Sequence, residues 1–222
     1  MRLSFIICVY NKFNFTKSCL NDLSKLKDHE IIVVDNASQD DTFKIPELYP
    51  HIKYIRNEEN LGFGKANNIG YEHATSDYVC FINNDIRVKE NHENWTDALL
   101  KHCDEGLVGP TMGELKADFS FLREVDKQLT SPLSYLSGWC IASSKVNWEK
   151  VAKADSGKIW NEKFFAYFED THLSFVARKN NIKLIQQDVP VVHFGKITSS
   201  QINTAQLYQD SKKTFIKLHG KK

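Results

Sequence analysis

Tyr78-Val79-Cys80-Phe81-Ile82-Asn83-Asn84-Asp85 is the stretch that decides the fold. Five apolar or aromatic residues run straight into two amides and a carboxylate. An unbroken apolar run of this length suits a strand buried on both faces, because a half-exposed strand would alternate. The polar triplet then stands at the strand's carboxyl end, the edge where open α/β sheets bind ligands. Oxygen donors there suit Mg²⁺ or Mn²⁺. Asp85 is the first candidate ligand, with Asn83 and Asn84 beside it. The triplet holds one carboxylate, so a second protein ligand is needed. His193 is the best candidate, and a satisfied core histidine is the competing account of it.

Working outward, Leu3 to Val9 reads as a strand broken by Tyr10-Asn11. Asn14 is placed to cap a following helix that carries Leu20, Leu23 and Leu26. Ile31 to Val34 is a second buried strand, ending at Asp35. Ile52 to Ile55 is a third. Glycines 62, 64 and 70 suggest a tight turn feeding a helix that runs to about Ala74. This alternation predicts an α/β fold with a mostly parallel central sheet flanked by helices. Strand ends of a parallel sheet share one edge, so Tyr10, Asn11, Asp35 and the 83–85 triplet should form one polar cleft.

The second half is less regular. Residues 92–102 read as a helix burying Trp95 and Leu99, and Gly106 to Pro110 as a short strand. Residues 111–132 read as a polar loop over the cleft. Residues 135–143 read as a Ser137-Gly138-Trp139 turn with a strand-like run. An aromatic stretch holding Trp160, Phe164, Phe165, Tyr167 and Phe168 meets Glu169-Asp170, which opens a helix. Residues 182–185 and 189–192 read as short strands. On the tail helix, Leu207, Ser211, Phe215 and Leu218 share a face. That face either packs on the body or, with Lys212, Lys213 and Lys217 nearby, meets a membrane surface.

Composition narrows the class. The chain has 222 residues, 41% of them hydrophobic, enough for one large domain or two fused halves. A net charge of +1 argues against a nucleic-acid partner. Five cysteines without CxxC spacing favour a reducing, cytosolic setting over a disulfide scaffold or zinc cluster. The apolar run at the N-terminus is too short for a transmembrane span and reads as a strand rather than a signal peptide.

Each candidate has a bland alternative. Asp35 either forms an Asx turn or accepts hydrogen bonds from a nucleobase or ribose. Asn60 and Gly62 shape a helix-entry turn, and Lys65 either neutralises a phosphate or faces solvent. Asp170 either caps its helix or, raised in pKa by burial and a neighbouring carboxylate, serves as a base. Glu169 orients an acceptor or stabilises the loop. Trp139 and Trp160 stack on a ligand or fill the core. No GxGxxG, Walker A or GxSxG pattern is present.

Taken in order, several stretches resemble family 2 glycosyltransferases of GT-A fold. They are Val9-Tyr10-Asn11, residues 33–40, residues 60–70, Phe81-Ile82-Asn83-Asn84-Asp85, Phe168-Glu169-Asp170 and Val192-His193-Phe194-Gly195. The resemblance implies one GT-A domain over residues 1–222 with a smaller acceptor-side subregion. About 1–100 would bind the nucleotide-sugar, and about 101–222 would bind the acceptor and carry catalysis. It implies an inverting enzyme that uses a UDP- or dTDP-sugar and Mg²⁺ or Mn²⁺. The acceptor would be a saccharide or lipid-linked glycan, met in the cytoplasm or at the inner face of the plasma membrane. Val9, Tyr10, Asn11, Asp35, Asn60, Gly62, Lys65, Asn83 and Asn84 would contact the donor. Asp85 and His193 would hold the metal, Asp170 would be the base, and Trp139 and Glu169 would meet the acceptor. Asn83 stands where a first Asp is common, as in rhamnosyl- or galactofuranosyl-directed relatives. His172 stands where many relatives carry an aspartate. A non-catalytic binding subunit is the main alternative, and a sugar nucleotidyltransferase the lesser one. Nothing in the sequence specifies an oligomeric state.

Overall fold

The computed structural model describes residues 2–89, 94–195 and 204–220. In chain order the elements begin with β1 (Leu3–Val9), α1 (Phe13–Leu23), β2 (Glu30–Asp35), a 3₁₀ turn (Asp41–Lys44), α2 (Ile45–Leu48) and β3 (Lys53–Arg56). They continue with α3 (Phe63–Glu72), β4 (Tyr78–Ile82), β5 (Ile86–Val88), α4 (Trp95–Leu100), β6 (Gly106–Gly109), β7 (Met112–Leu115) and β8 (Phe121–Val125). The last are β9 (Ser134–Leu136), β10 (Cys140–Ser144), α5 (Lys145–Ala154), α6 (Glu169–Lys179), β11 (Lys183–Gln186), β12 (Val191–His193) and α7 (Thr204–His219).

Seven strands form the central sheet in the order β11-β6-β10-β4-β1-β2-β3. Of these, β10 runs against its neighbours, and the rest are parallel. The mostly parallel α/β sheet expected from the strand–helix alternation is therefore present. Its central strands are buried on both faces because alternate side chains feed two cores. Phe5, Ile7, Val9, Cys80 and Ile82 pack with α1 and α4, while Ile6, Val34, Val79 and Phe81 pack with α3, α5 and α6. That double burial is why Tyr78 to Ile82 reads as a continuous apolar run.

Several local expectations need correcting. Asn14 lies inside α1 rather than capping it. The helix enters through Asn11 and Lys12 in left-handed conformation, φ 56° and 62°, and Asp40 accepts the Phe13 N–H at 2.8 Å. A carboxylate from a distant loop thus does the work of the local cap. Residues 111–132 are not a plain loop, since β7 pairs antiparallel with β8 on one side and β9 on the other. The aromatic stretch is mostly core, with Trp160, Phe164 and Phe168 buried and Phe165 left exposed. Helix α5 was not foreseen; it buries Trp148, whose indole donates to the Val79 carbonyl at 3.1 Å. The helix expected over 92–102 is seen as α4, and residues 92 and 93 lie outside the described residues. Helix α7 packs back on the body through Phe215, which touches Phe119, Phe168 and Phe175.

Helix α3 crosses the sheet so closely that a Cβ on Gly70 would stand 2.4 Å from Ile6 Cγ2 and 3.1 Å from Val34 Cγ2. Gly70→Ala should therefore lose stability despite alanine's better helix propensity. Overpacking costs about 1–3 kcal/mol, against a gain of about 1 kcal/mol from propensity. Urea unfolding should show a lower midpoint with an unchanged slope.

Candidate active site

The carboxyl ends of β1, β2 and β4 lie on one edge, as the parallel pairing requires, with Val9 beside Asp35 and Asp35 beside Arg56. Asp35 is fully buried. Its Oδ1 accepts the Ser38 N–H at 2.8 Å, and its Oδ2 accepts the Tyr54 hydroxyl and the Arg56 guanidinium. The Asx turn and the ligand-facing role were posed as alternatives. The geometry holds the turn, and it adds Tyr54 and Arg56 from β3, which sequence reasoning missed.

The neighbouring loops are tied to this edge. Asn11 N–H donates to Ser38 Oγ at 2.8 Å, and Asn11 Oδ1 accepts Gln39 N–H at 2.7 Å. Asn36 Nδ2 donates to the Gly62 carbonyl at 3.1 Å, and Asn60 Oδ1 accepts the Gly62 N–H at 3.0 Å. Gly62 has φ 82°, and a Cβ there would meet the Phe165 carbonyl oxygen at 2.5 Å. Its position admits only glycine. Lys65 stands exposed on the first turn of α3.

Beyond β4, the polar triplet divides. Asn83 N–H donates to the Trp139 carbonyl at 2.8 Å. Asn84 turns away from the edge, and its amide donates to Thr16 Oγ1 at 2.8 Å. Asp85 is buried, and its carbonyl accepts the Phe194 N–H at 2.9 Å. The β5–β12 pair brings His193 opposite Ile86, which sets His193 Nε2 3.1 Å from Asp85 Oδ1. The pair is not aligned as a hydrogen bond, and Asp85 Oδ1 is a buried oxygen without a hydrogen-bond donor. Asn83 Nδ2 lies 3.4 Å from His193 Nε2. His193 Nε2 and the donor-free Asp85 Oδ1 thus stand side by side at the end of β4.

Two such atoms fit a hard cation. Neighbouring ligands around an octahedral ion with bonds of about 2.1 Å stand roughly 3 Å apart. Among the described residues no group of three or more His, Cys, Asp or Glu side chains gathers as a metal site. Asp85 and His193 are the side chains at this edge that could hold such an ion. Trp139 is buried and stacks on His193, with centroids 4.8 Å apart and planes 8° apart, fixing the imidazole plane.

The residue before Trp139 reaches the other carboxylate. Gly138 N–H donates to Asp170 Oδ2 at 2.9 Å, and Thr171 N–H donates to Oδ1 at 2.6 Å. Asp170 opens α6 after Tyr167 and Phe168, both left-handed at φ 69° and 66°. Such non-glycine conformations cost on the order of 1 kcal/mol or more each. They are held here by Phe168 packing on Phe215 and Tyr208. Burial raises the Asp170 carboxyl above the ordinary carboxylate range, while the Gly138 and Thr171 donors pull it back. Glu169 is raised by burial and by the charge of Asp170, and its buried Oε2 has no hydrogen-bond partner. Asp170 thus has backbone donors that favour its ionised form, and Glu169 Oε2 has none.

His172, one turn into α6, belongs to a buried chain of contacts that the sequence did not reveal. His172 Nε2 lies 3.1 Å from Asp155 Oδ2, and its Nδ1 lies 2.8 Å from His219 Nε2. His219 Nδ1 lies 3.2 Å from Lys179 Nζ. Lys179 donates, so the rings pass hydrogen bonds in one direction, through His219 and His172 to Asp155. This assignment of tautomers follows from the network. The network pins α7 against the helix that carries Asp170.

A mostly parallel sheet with a carboxylate–histidine pair and a Glu-Asp pair gathered around one strand turn is the GT-A architecture of glycosyltransferases. The Glycosyl transferase family 2 profile matches residues 4–121, and the chain belongs to that family. It is similar to the poly(ribitol-phosphate) beta-N-acetylglucosaminyltransferase TarS of Staphylococcus aureus (strain Mu50), with 32% identity over 106 residues, 44% of this chain and 18% of TarS. It is also similar to the low-salt glycan biosynthesis hexosyltransferase Agl10 of Haloferax volcanii, with 22% identity over 239 residues, 96% of this chain and 74% of Agl10. Among solved structures, the mannosyltransferase PcManGT of Pyrobaculum calidifontis with GDP-Man and Mn²⁺ superposes at TM-score 0.63 and 19% identity, covering 99% of this chain and 65% of that one. The S. aureus TarS 1-349 complex with UDP-GlcNAc gives 0.61 and 19%, covering 93% and 64%. The chain spans less than two thirds of either crystallised protein.

Burial, with the neighbouring His172 and Lys179, holds His219 down at about 4, from an ordinary value of 6.5. The unfolded chain therefore takes up a proton below pH 6.5 that the folded chain refuses until about 4. This contribution to stability is complete above that window and is lost as pH falls through it. His219→Gln should flatten this part of a Tm-versus-pH curve.

Proposed function

We propose that the chain is an inverting glycosyltransferase that moves a sugar from a nucleoside diphosphate onto a hydroxyl of a saccharide or lipid-linked glycan. The observation that carries this reading is the Ser137-Gly138-Trp139 turn. Its consecutive residues hold the buried carboxylate Asp170 and, through Trp139, the His193–Asp85 pair. A base and a cation-ready pair on one turn suit direct displacement at a carbon bearing a diphosphate.

In the proposed reaction, Asp170 takes the proton from the acceptor hydroxyl as that oxygen attacks the anomeric carbon. The bond from that carbon to the diphosphate oxygen breaks, and the electron pair leaves with the nucleoside diphosphate. Configuration inverts. Glu169, carrying its proton, leaves Asp170 as the acceptor of the transferred one. Asp85 and His193 would hold Mg²⁺ or Mn²⁺, which when bound offsets charge on the departing diphosphate. Asp35, with Val9, Tyr10 and Asn11, lines the base side. Its carboxylate is already engaged, so a nucleobase reaches it by displacing Arg56, the partner whose side chain is 43% exposed. Residues from 1 to about 100 form the donor half, and residues from about 101 to 222 the acceptor half. The UDP-GlcNAc complex of TarS supports a UDP-linked donor, with dTDP as the near alternative. The setting would be the cytoplasm or the inner face of the plasma membrane. No described helix is long and apolar enough to cross a membrane.

Binding and slow hydrolysis of UDP-, dTDP- and GDP-sugars, with and without Mn²⁺, test the reading. Metal-dependent hydrolysis is the expected result, and binding without hydrolysis or transfer would mark a non-catalytic subunit. Asp170→Asn should lower turnover by about 10²- to 10⁴-fold with donor binding retained. Glu169→Gln, which resembles the protonated acid, should cost far less. The kcat profile should rise with pH along an acid limb lying above the ordinary carboxylate range. Transfer by Asp170→Asn close to that of the parent enzyme would remove it as the base.

A further inference from the structure

We infer that the acceptor is an uncharged or cationic saccharide, and that an acidic cleft formed by Glu124, Asp126 and Asp188 turns anionic glycans away. This rests on the glycosyltransferase reading above and names the acceptor class of the same site.

A cavity of about 820 Å³ opens beside Trp139 and His193. Ligand pockets of a few hundred to about 1,000 Å³ hold molecules the size of a short oligosaccharide. One wall is the end of β8 with Glu124 and Asp126, and the other is the approach to β12 with Asp188. The cavity adjoins the turn that positions Asp170. Trp139 forms part of its lining, and the preceding residue, Gly138, holds Asp170. Glu124 is close enough for its negative charge to oppose ionisation of Asp170.

Among the described residues the lining carries three carboxylates and one ammonium, that of Lys89. None of the three pairs with a lysine or arginine among the described residues. Asp126 accepts the Thr111 hydroxyl at 2.6 Å, and Asp188 accepts the Gln186 amide at 2.8 Å. These bonds orient two of the carboxylates without neutralising them. An ionised carboxylate only accepts hydrogen bonds and has several lone-pair sites. Sugar hydroxyls supply the matching donors, and an ammonium supplies more. A phosphate or uronate brings further acceptors and a like charge into a concave site, where fields add. TarS is named for poly(ribitol-phosphate), a polyanion. The lining of this cleft is of the wrong sign for such an acceptor.

The test is direct binding to the protein saturated with UDP and Mn²⁺. The probes are a neutral hexose oligosaccharide, its uronic acid counterpart and poly(ribitol phosphate). At low ionic strength the neutral sugar should bind roughly tenfold tighter than either anion, with the ratio shrinking toward one in about 0.5 M salt. Glu124→Gln/Asp126→Asn/Asp188→Asn should also bring the ratio toward one, with urea unfolding confirming that this variant is folded. Equal or tighter binding of an anion at low salt overturns the inference, as does a ratio unmoved by the variant or a failure of every probe to bind. Metal-dependent donor hydrolysis is measured on the same parent sample. Its absence defeats the glycosyltransferase reading itself, whereas hydrolysis with a preference for the anions defeats only the acceptor class.

Discussion

Two hydrogen bonds from adjacent residues set the geometry of the site. Gly138 donates its N–H to Asp170, and Trp139 offers its carbonyl to Asn83. The first reaches the start of α6 and the second reaches the end of β4, so the two carboxylate centres are fixed through one short turn. The antiparallel strand β10 makes this possible. It lies between β4 and β6, so its entry arrives at the edge where its parallel neighbours end. A parallel strand in that place would have delivered its entry to the opposite edge. Gly138 is also constrained by space, since a Cβ there would stand 3.0 Å from Asp170 Cβ.

The Glu-Asp pair shows how small differences in hydrogen bonding favour ionisation of one carboxyl over the other. Both sit at the start of α6, where the helix dipole favours negative charge, and both are partly removed from water. Asp170 receives two backbone donors and Glu169 Oε2 receives none. Removing charge from water is costly unless donors replace the solvent, so the proton belongs where donors are missing. The left-handed pair Tyr167 and Phe168 aims both side chains, and aromatic contacts from α7 hold that strained backbone. The tail helix is thereby linked to the base through packing on one side and the His172–His219 contact on the other.

Much of the donor half was legible because its signals are local. Buried strands such as Ile31 to Val34 announce themselves as apolar runs, and each ends at the polar residue that reaches the edge. Two of the misses share one physical cause, the partner lying far along the chain. Asp40 caps α1 across 27 positions, and Arg56 reaches Asp35 across 21. Strand β8 hid because Phe121 to Glu124 are exposed, which erases the burial signal without preventing pairing to β7. In α5, Asn147 at a buried position broke the apolar pattern; its amide donates to the Cys103 carbonyl at 3.0 Å.

The stretch Tyr78 to Asp85 ends not as one ligand cluster but as a three-way junction. Asn83 commits its backbone to Trp139, Asn84 commits its side chain to α1, and Asp85 faces His193. Three adjacent residues leave the strand in different directions, so they could not all have met one ion. The consequence is a junction at which, of the triplet, Asp85 alone faces His193 as a carboxylate. Asp85 Oδ1, buried without a donor, carries an unmet electrostatic demand that Asn83 and His193 do not satisfy. A carboxylate–histidine pair set against one orphaned oxygen would hold a cation weakly by itself, so a metal there would gain by binding together with diphosphate oxygens.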